Sequence, residues 1–187
     1  MPFGLAAGVA AAALERGICA VEDASKALTA NDYLRHAAAM LIVGVMLHAF
    51  IERAGAYHVA GVGYPTIEAI VTGLLTDPAF LLLLFAAKLA ATALALGTGA
   101  SGGVFAPGLF LGAALGAGYA QALDALWPAL GIEPVVLALA GMAALVGATT
   151  AAVVTAIVMV LELTHGYAAL LPIVLSVVAR LRWCACG

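Results

Sequence analysis

Gly97-Thr98-Gly99-Ala100-Ser101-Gly102-Gly103-Val104-Phe105-Ala106-Pro107 is a glycine-rich interruption between two apolar segments, residues 79 to 97 and 107 to 126. What it means depends on the solvent around it. The chain of 187 residues is 66% hydrophobic and 9% charged, with a mean hydropathy of +1.18. Soluble domains are about half apolar and about a quarter charged, so the expected solvent is lipid. In lipid, backbone outside a helix persists only where protein buries it or a wet cavity meets it. Free N–H groups at a helix start, with the positive end of the dipole behind them, make an anion site. The interruption therefore predicts a break over residues 97 to 106, a helix from about Pro107, and an anion held at membrane depth by backbone amides. Pro107 suits a first helical turn, where its missing N–H costs nothing.

Working outward, roughly 20 residues per crossing leave room for five or six spans. Residues 2 to 21 form a first apolar stretch. Residues 22 to 36 are the most polar part and read as a loop or interfacial connection. A second apolar stretch covers 37 to 51, a loop 52 to 66, and a short helix that does not cross 67 to 76. The span at 79 to 97 carries one charge, Lys88. Gly108, Gly112, Gly116 and Gly118 recur along 107 to 126, a spacing that favours close helix packing, and Trp127-Pro128 ends that stretch. The apolar run 134 to 163 is too long for one span. Gly147-Ala148-Thr149-Thr150 divides it into helices at 134 to 146 and 151 to 163, and a last helix covers 167 to 182. The whole reads as a single all-α transmembrane domain of tilted and broken helices, residues 1 to 187. Half-helices that meet near the midplane mark transporters and channels.

Several classes lose support. A net charge of −3 and seven basic residues argue against a nucleic-acid partner and a polybasic lipid patch. Cys19, Cys184 and Cys186 read as incidental, and His36, His48, His58 and His165 share no ligand spacing, so no metal site is expected. No nucleophile–base pair or phosphate loop appears, which argues against an enzyme. Lys88 is an intramembrane charge and hence a functional candidate. It could raise the positive potential along an anion route, snorkel to an interface, or pair with a carboxylate. Glu162 reads as a capping or packing residue near an interface.

Gly102-Gly103-Val104-Phe105-Ala106-Pro107 resembles the GxFxP signature of the CLC chloride channels and chloride/proton antiporters. Four further strings occur in the family's order and spacing: Gly61-Val62-Gly63-Tyr64, Lys88-Leu89-Ala90-Ala91-Thr92-Ala93-Leu94, Ala140-Gly141-Met142-Ala143-Ala144 and Val160-Leu161-Glu162-Leu163-Thr164. The similarity runs from about residue 2 to 179. It implies a multi-pass membrane protein, of the bacterial inner or cell membrane, that transports anions. Backbone N–H groups of Gly103, Val104, Phe105 and Ala106 would hold chloride, and no cofactor is implied beyond the transported chloride itself. It also implies a homodimer formed through second-repeat helices, here 151 to 163 and 167 to 179.

The resemblance is to the second, C-terminal half of that membrane domain: the last helix of the first repeat and most of the second. The parts that give the family a pore serine, a gating glutamate, a proton-transfer glutamate and a pore tyrosine have no counterpart. Arg180-Leu181-Arg182-Trp183-Cys184-Ala185-Cys186-Gly187 matches no part of the family, and Ala151-Ala152-Val153-Val154-Thr155 stands where it often has Arg-Ala-Pro-Leu-Thr. Two expectations follow: a partial chain of a voltage-gated chloride channel or antiporter, or a non-conducting membrane remnant of a split or frameshifted gene.

Overall fold

A computed structural model describes residues 2–28, 31–55, 58–126, 133–150 and 153–164. Every regular element among them is helical: α1 Pro2–Leu28, α2 Asp32–Ala54, α3 Tyr64–Val71, α4 Pro78–Gly97, α5 Phe105–Leu126, α6 Pro134–Thr150 and α7 Val153–Thr164. The all-α class is as the composition implies. The segment Asp32–Glu52 of α2 and the whole of α4 are long and apolar enough to cross a membrane. Trp127-Pro128, the expected helix 167 to 182 and the tail 180 to 187 lie outside the described residues.

Three expectations are corrected. Residues 22 to 36 are not one connecting loop. α1 runs on to Leu28, because its polar residues sit on an outer face, where Lys26 pairs with Glu22 at 2.5 Å one turn away. α2 then starts at once, its first turn capped by the Asn31 side chain, which accepts from the Tyr33 N–H at 3.2 Å. Residues 64 to 66, assigned to a loop, open α3, which ends at Val71 rather than continuing to residue 76. The two expected helices are separate, but Gly147-Ala148-Thr149-Thr150 is not the break between them. It closes α6, and the Thr149 and Thr150 hydroxyls donate back to the Leu145 and Val146 carbonyls. That local satisfaction lets hydroxyl residues stay helical in apolar surroundings.

α6 is the core helix, with residues 138 to 148 all buried. Its tightest neighbour is α5. A Cβ built on Gly112 would collide with the Gly141 carbonyl, and one on Gly116 with the Leu137 carbonyl. Small residues let the two backbones approach where lipid supplies no hydrophobic drive for association. Gly118 faces elsewhere; a Cβ there would lie 3.6 Å from the Leu81 Cβ, an ordinary contact. α1 packs on α4 in the same way, since a Cβ on Gly97 would lie 2.8 Å from the Ile18 carbonyl oxygen.

The segment between α2 and α3 turns sharply. Gly55, Gly61 and Gly63 have φ of +69°, +58° and +79°. Gly63 also lies against Phe110 of α5, whose ring a Cβ would meet at 2.5 Å, whereas Gly61 has open space around it.

Gly112→Ala should cost on the order of 3 kcal/mol by overpacking, whereas Gly118→Ala should be neutral or gain up to about 1 kcal/mol, alanine being the better helix former. Thermal unfolding in detergent checks this, and equal losses at both positions would show that the α5–α6 approach is not limiting. Gly63→Ala should cost about 2 kcal/mol more than Gly61→Ala, since only the former adds a clash to the left-handed backbone. The same melts decide it.

Candidate functional site

The glycine-rich break is built by the end of one helix and the start of the next. α4 begins on Asp77, whose side chain accepts from the Ala79 N–H at 3.0 Å, with Pro78 in its first turn. It ends in a tight reversal. Gly99 has φ +94°; its N–H donates to the Leu96 carbonyl, and the Ala100 N–H to the Ala95 carbonyl, both at 3.1 Å. This paired closure needs a left-handed residue, which glycine supplies without strain. The Thr98 hydroxyl caps its own helix, donating to the Leu94 carbonyl at 2.8 Å.

Residues 100 to 104 are outside any helix. α5 begins at Phe105, two residues before the expected start, so Pro107 still falls in its first turn. The first helical bond runs from the Gly108 N–H to the Val104 carbonyl at 2.9 Å. The N–H groups of Phe105 and Ala106 therefore lie outside the helix ladder. Phe105 packs its ring partly against the main core; this fixes the helix start while its amide stays uncommitted. Ser101, Gly102 and Gly103 are exposed, and Val104, Phe105 and Ala106 half-buried.

A cavity of about 320 Å³ opens beside this break. Ala100 to Gly103 and Pro107 form one wall, the inner face of α4 a second, and Val59 and Gly61 a third, with α2 closing the side. The volume lies at the low end of small-ligand sites. Lys88 lines the same cavity. The structure thus brings Lys88 to one cavity with Gly103 and Pro107, which lie 15 and 19 positions further along the chain.

Lys88 does something sequence reasoning missed. Its side chain neither snorkels nor meets a carboxylate among the described residues. It is 4% exposed, and its ammonium donates to the Val59 carbonyl at 2.8 Å and to the Gly61 carbonyl at 2.5 Å. The Phe110 ring stands 5.2 Å from the charge, a favourable cation–π placement. No local signal announces acceptors 27 and 29 residues away. Glu162 is exposed on α7, away from the cavity. His36 approaches the Thr98 hydroxyl at 3.5 Å, and His48 and His58 lie elsewhere.

Neutral N–H dipoles that converge on a cavity can replace part of an anion's hydration shell. A strong neighbouring charge would bind too tightly for release, and passage needs both entry and exit. Here Lys88, buried beside the cavity, is engaged by carbonyl oxygens.

The family model described as voltage gated chloride channel matches residues 1–180. The H(+)/Cl(-) exchange transporter ClcA of Vibrio parahaemolyticus is 35% identical over 176 residues, covering 93% of this chain and 37% of the relative. The ClcA of Vibrio campbellii is 36% identical over 171 residues, 90% of this chain and 36% of the relative. That of Vibrio cholerae is 43% identical over 96 residues, 51% of this chain and 20% of the relative. The chain thus spans less than two-fifths of the length of the relatives it matches. With a match over nearly all its residues, this chain belongs to the voltage-gated chloride channel family.

Proposed function

We propose that this chain is the chloride-coordinating second half of a membrane chloride channel or chloride/proton antiporter. The observation that carries the reading is the start of α5. The Phe105 and Ala106 N–H groups stand outside the helix ladder beside a cavity walled by Gly102 and Gly103. Gly103, Val104, Phe105 and Ala106 supply the amides, and the dipole of α5 supplies partial positive charge. Chloride suits such a site, being monovalent, large and weakly hydrated. The relatives' names, H(+)/Cl(-) exchange transporters, support the same ion.

An anion at membrane depth has to be surrounded. In this reading the chain provides one side of the cage, and the remainder belongs to the part of the relatives that it does not span. The reading includes a homodimer in the lipid bilayer, formed through residues 151 to 163 and 167 to 179. Within α7, Val154, Val158 and Met159 are exposed and offer an apolar face; residues 167 to 179 lie outside the described part.

Cross-linking of the purified chain in detergent should give a dimer, and monomer alone would count against the interface. Chloride efflux from liposomes should be absent or very weak with this chain by itself. It should appear when the segment of a relative that the chain does not span is supplied in trans. In that complex, Phe105→Pro should cut flux about tenfold or more, because a hydrogen bond to a charged group is worth about 1.5–3 kcal/mol. Proline at the first helical position removes the amide and spares the helix. Phe105→Leu keeps the amide and should retain flux. Robust selective flux from the 187-residue chain alone would overturn the half-site reading, and unchanged flux in Phe105→Pro would clear that amide.

A further inference from the structure

We propose that Lys88 is a positioning residue: its ammonium holds the Val59–Gly61 backbone in place as the wall of the cavity facing Ser101 to Gly103. The anion-site reading gives this role its functional meaning. The role itself rests on separate observations.

Lys88 sits near the middle of α4, almost fully buried. Opposite it is backbone that belongs to no helix. Residues 58 to 62 cannot pair their carbonyls along a ladder, and an unpaired carbonyl is costly in apolar surroundings. The Thr66 hydroxyl serves the His58 carbonyl at 3.0 Å. Lys88 serves the next two cavity-lining residues, Val59 at 2.8 Å and Gly61 at 2.5 Å. Gly63 then rests on the same Phe110 ring that faces the ammonium. The segment is pinned at successive points, and a lysine is well suited to the middle ones. Its three donors reach separate acceptors, and it carries none that would compete.

The charge has a second consequence. Two carbonyl dipoles and an aromatic face already engage it, so it presents a muted potential to the cavity. An ammonium left free to face an anion would need different neighbours. Lysine here therefore shapes the wall instead of binding the ion.

Two measurements on the purified 187-residue chain test the assignment. In amide hydrogen exchange, Lys88→Met should raise exchange about tenfold or more across residues 58 to 67, where the Thr66 and Ile67 amides are bonded to the Gly63 carbonyl. Residues 138 to 148 should stay near the unsubstituted rate, because local opening leaves the core closed. Lys88→Arg, which keeps donors and charge, should restore most of the protection. Unchanged exchange at 58 to 67 in Lys88→Met would overturn the proposal.

The second measurement uses the unsubstituted chain and so survives misfolding of a variant. In nitrogen NMR, the Lys88 Nζ signal should show protons slow to exchange with water. It should not move when sodium chloride is added in place of sodium gluconate. A Nζ shift that follows chloride would show the ammonium facing the anion and would overturn the proposal. Movement of the Phe105 and Ala106 amides alone would support both readings. Slow Nζ protons with no chloride-dependent shift anywhere would sink the anion site and leave the positioning role supported.

Discussion

The structure depends on one constraint: every backbone polar group removed from water needs a partner. Helices meet it internally, and most of this chain is helical. Two segments beside the same cavity are not, residues 58 to 63 and 98 to 104. They answer the constraint differently. In the first, the Thr66 hydroxyl takes up the His58 carbonyl and Lys88 those of Val59 and Gly61. The second closes the end of α4 through Gly99 and Ala100, and then leaves the first amides of α5 uncommitted. In the proposed function those amides are the donors offered to the anion.

Packing holds the two walls in register. α5 is pressed on α6 at Gly112 and Gly116, where backbone meets backbone. α6 is buried through residues 138 to 148, so its partner has little freedom to slide. Phe110, one turn beyond the break, is fully buried and touches both the Gly63 turn and the Lys88 ammonium. One ring thus relates the loop wall, α4 and the start of α5. The exposed apolar residues of α2, among them Leu41, Ile42 and Val45, contribute to no such contact. They fit the face of a helix that crosses lipid.

How far the sequence could be read depended on how local the determining physics was. The break was legible because its causes are local: a left-handed Gly99, a proline fit for a first turn, and apolar helices on both sides. α4 and the body of α5 were legible for the same reason. The polar run 22 to 36 misled, because exposed helical residues pair along their own face, as Glu22 and Lys26 do. Gly147-Ala148-Thr149-Thr150 misled because threonine hydroxyls can bond back within the helix. Composition alone does not distinguish a polar helix from a loop, nor a threonine-rich helix end from a break.

The sequence by itself determined the solvent class, the all-α architecture, the position of the break and the family, since these follow from hydropathy and from contiguous motifs. Only the tertiary structure decided what Lys88 does. Its acceptors are carbonyls 27 and 29 residues upstream, every residue type carries a carbonyl, and no pattern of side chains distinguishes the two that a folded chain brings within reach.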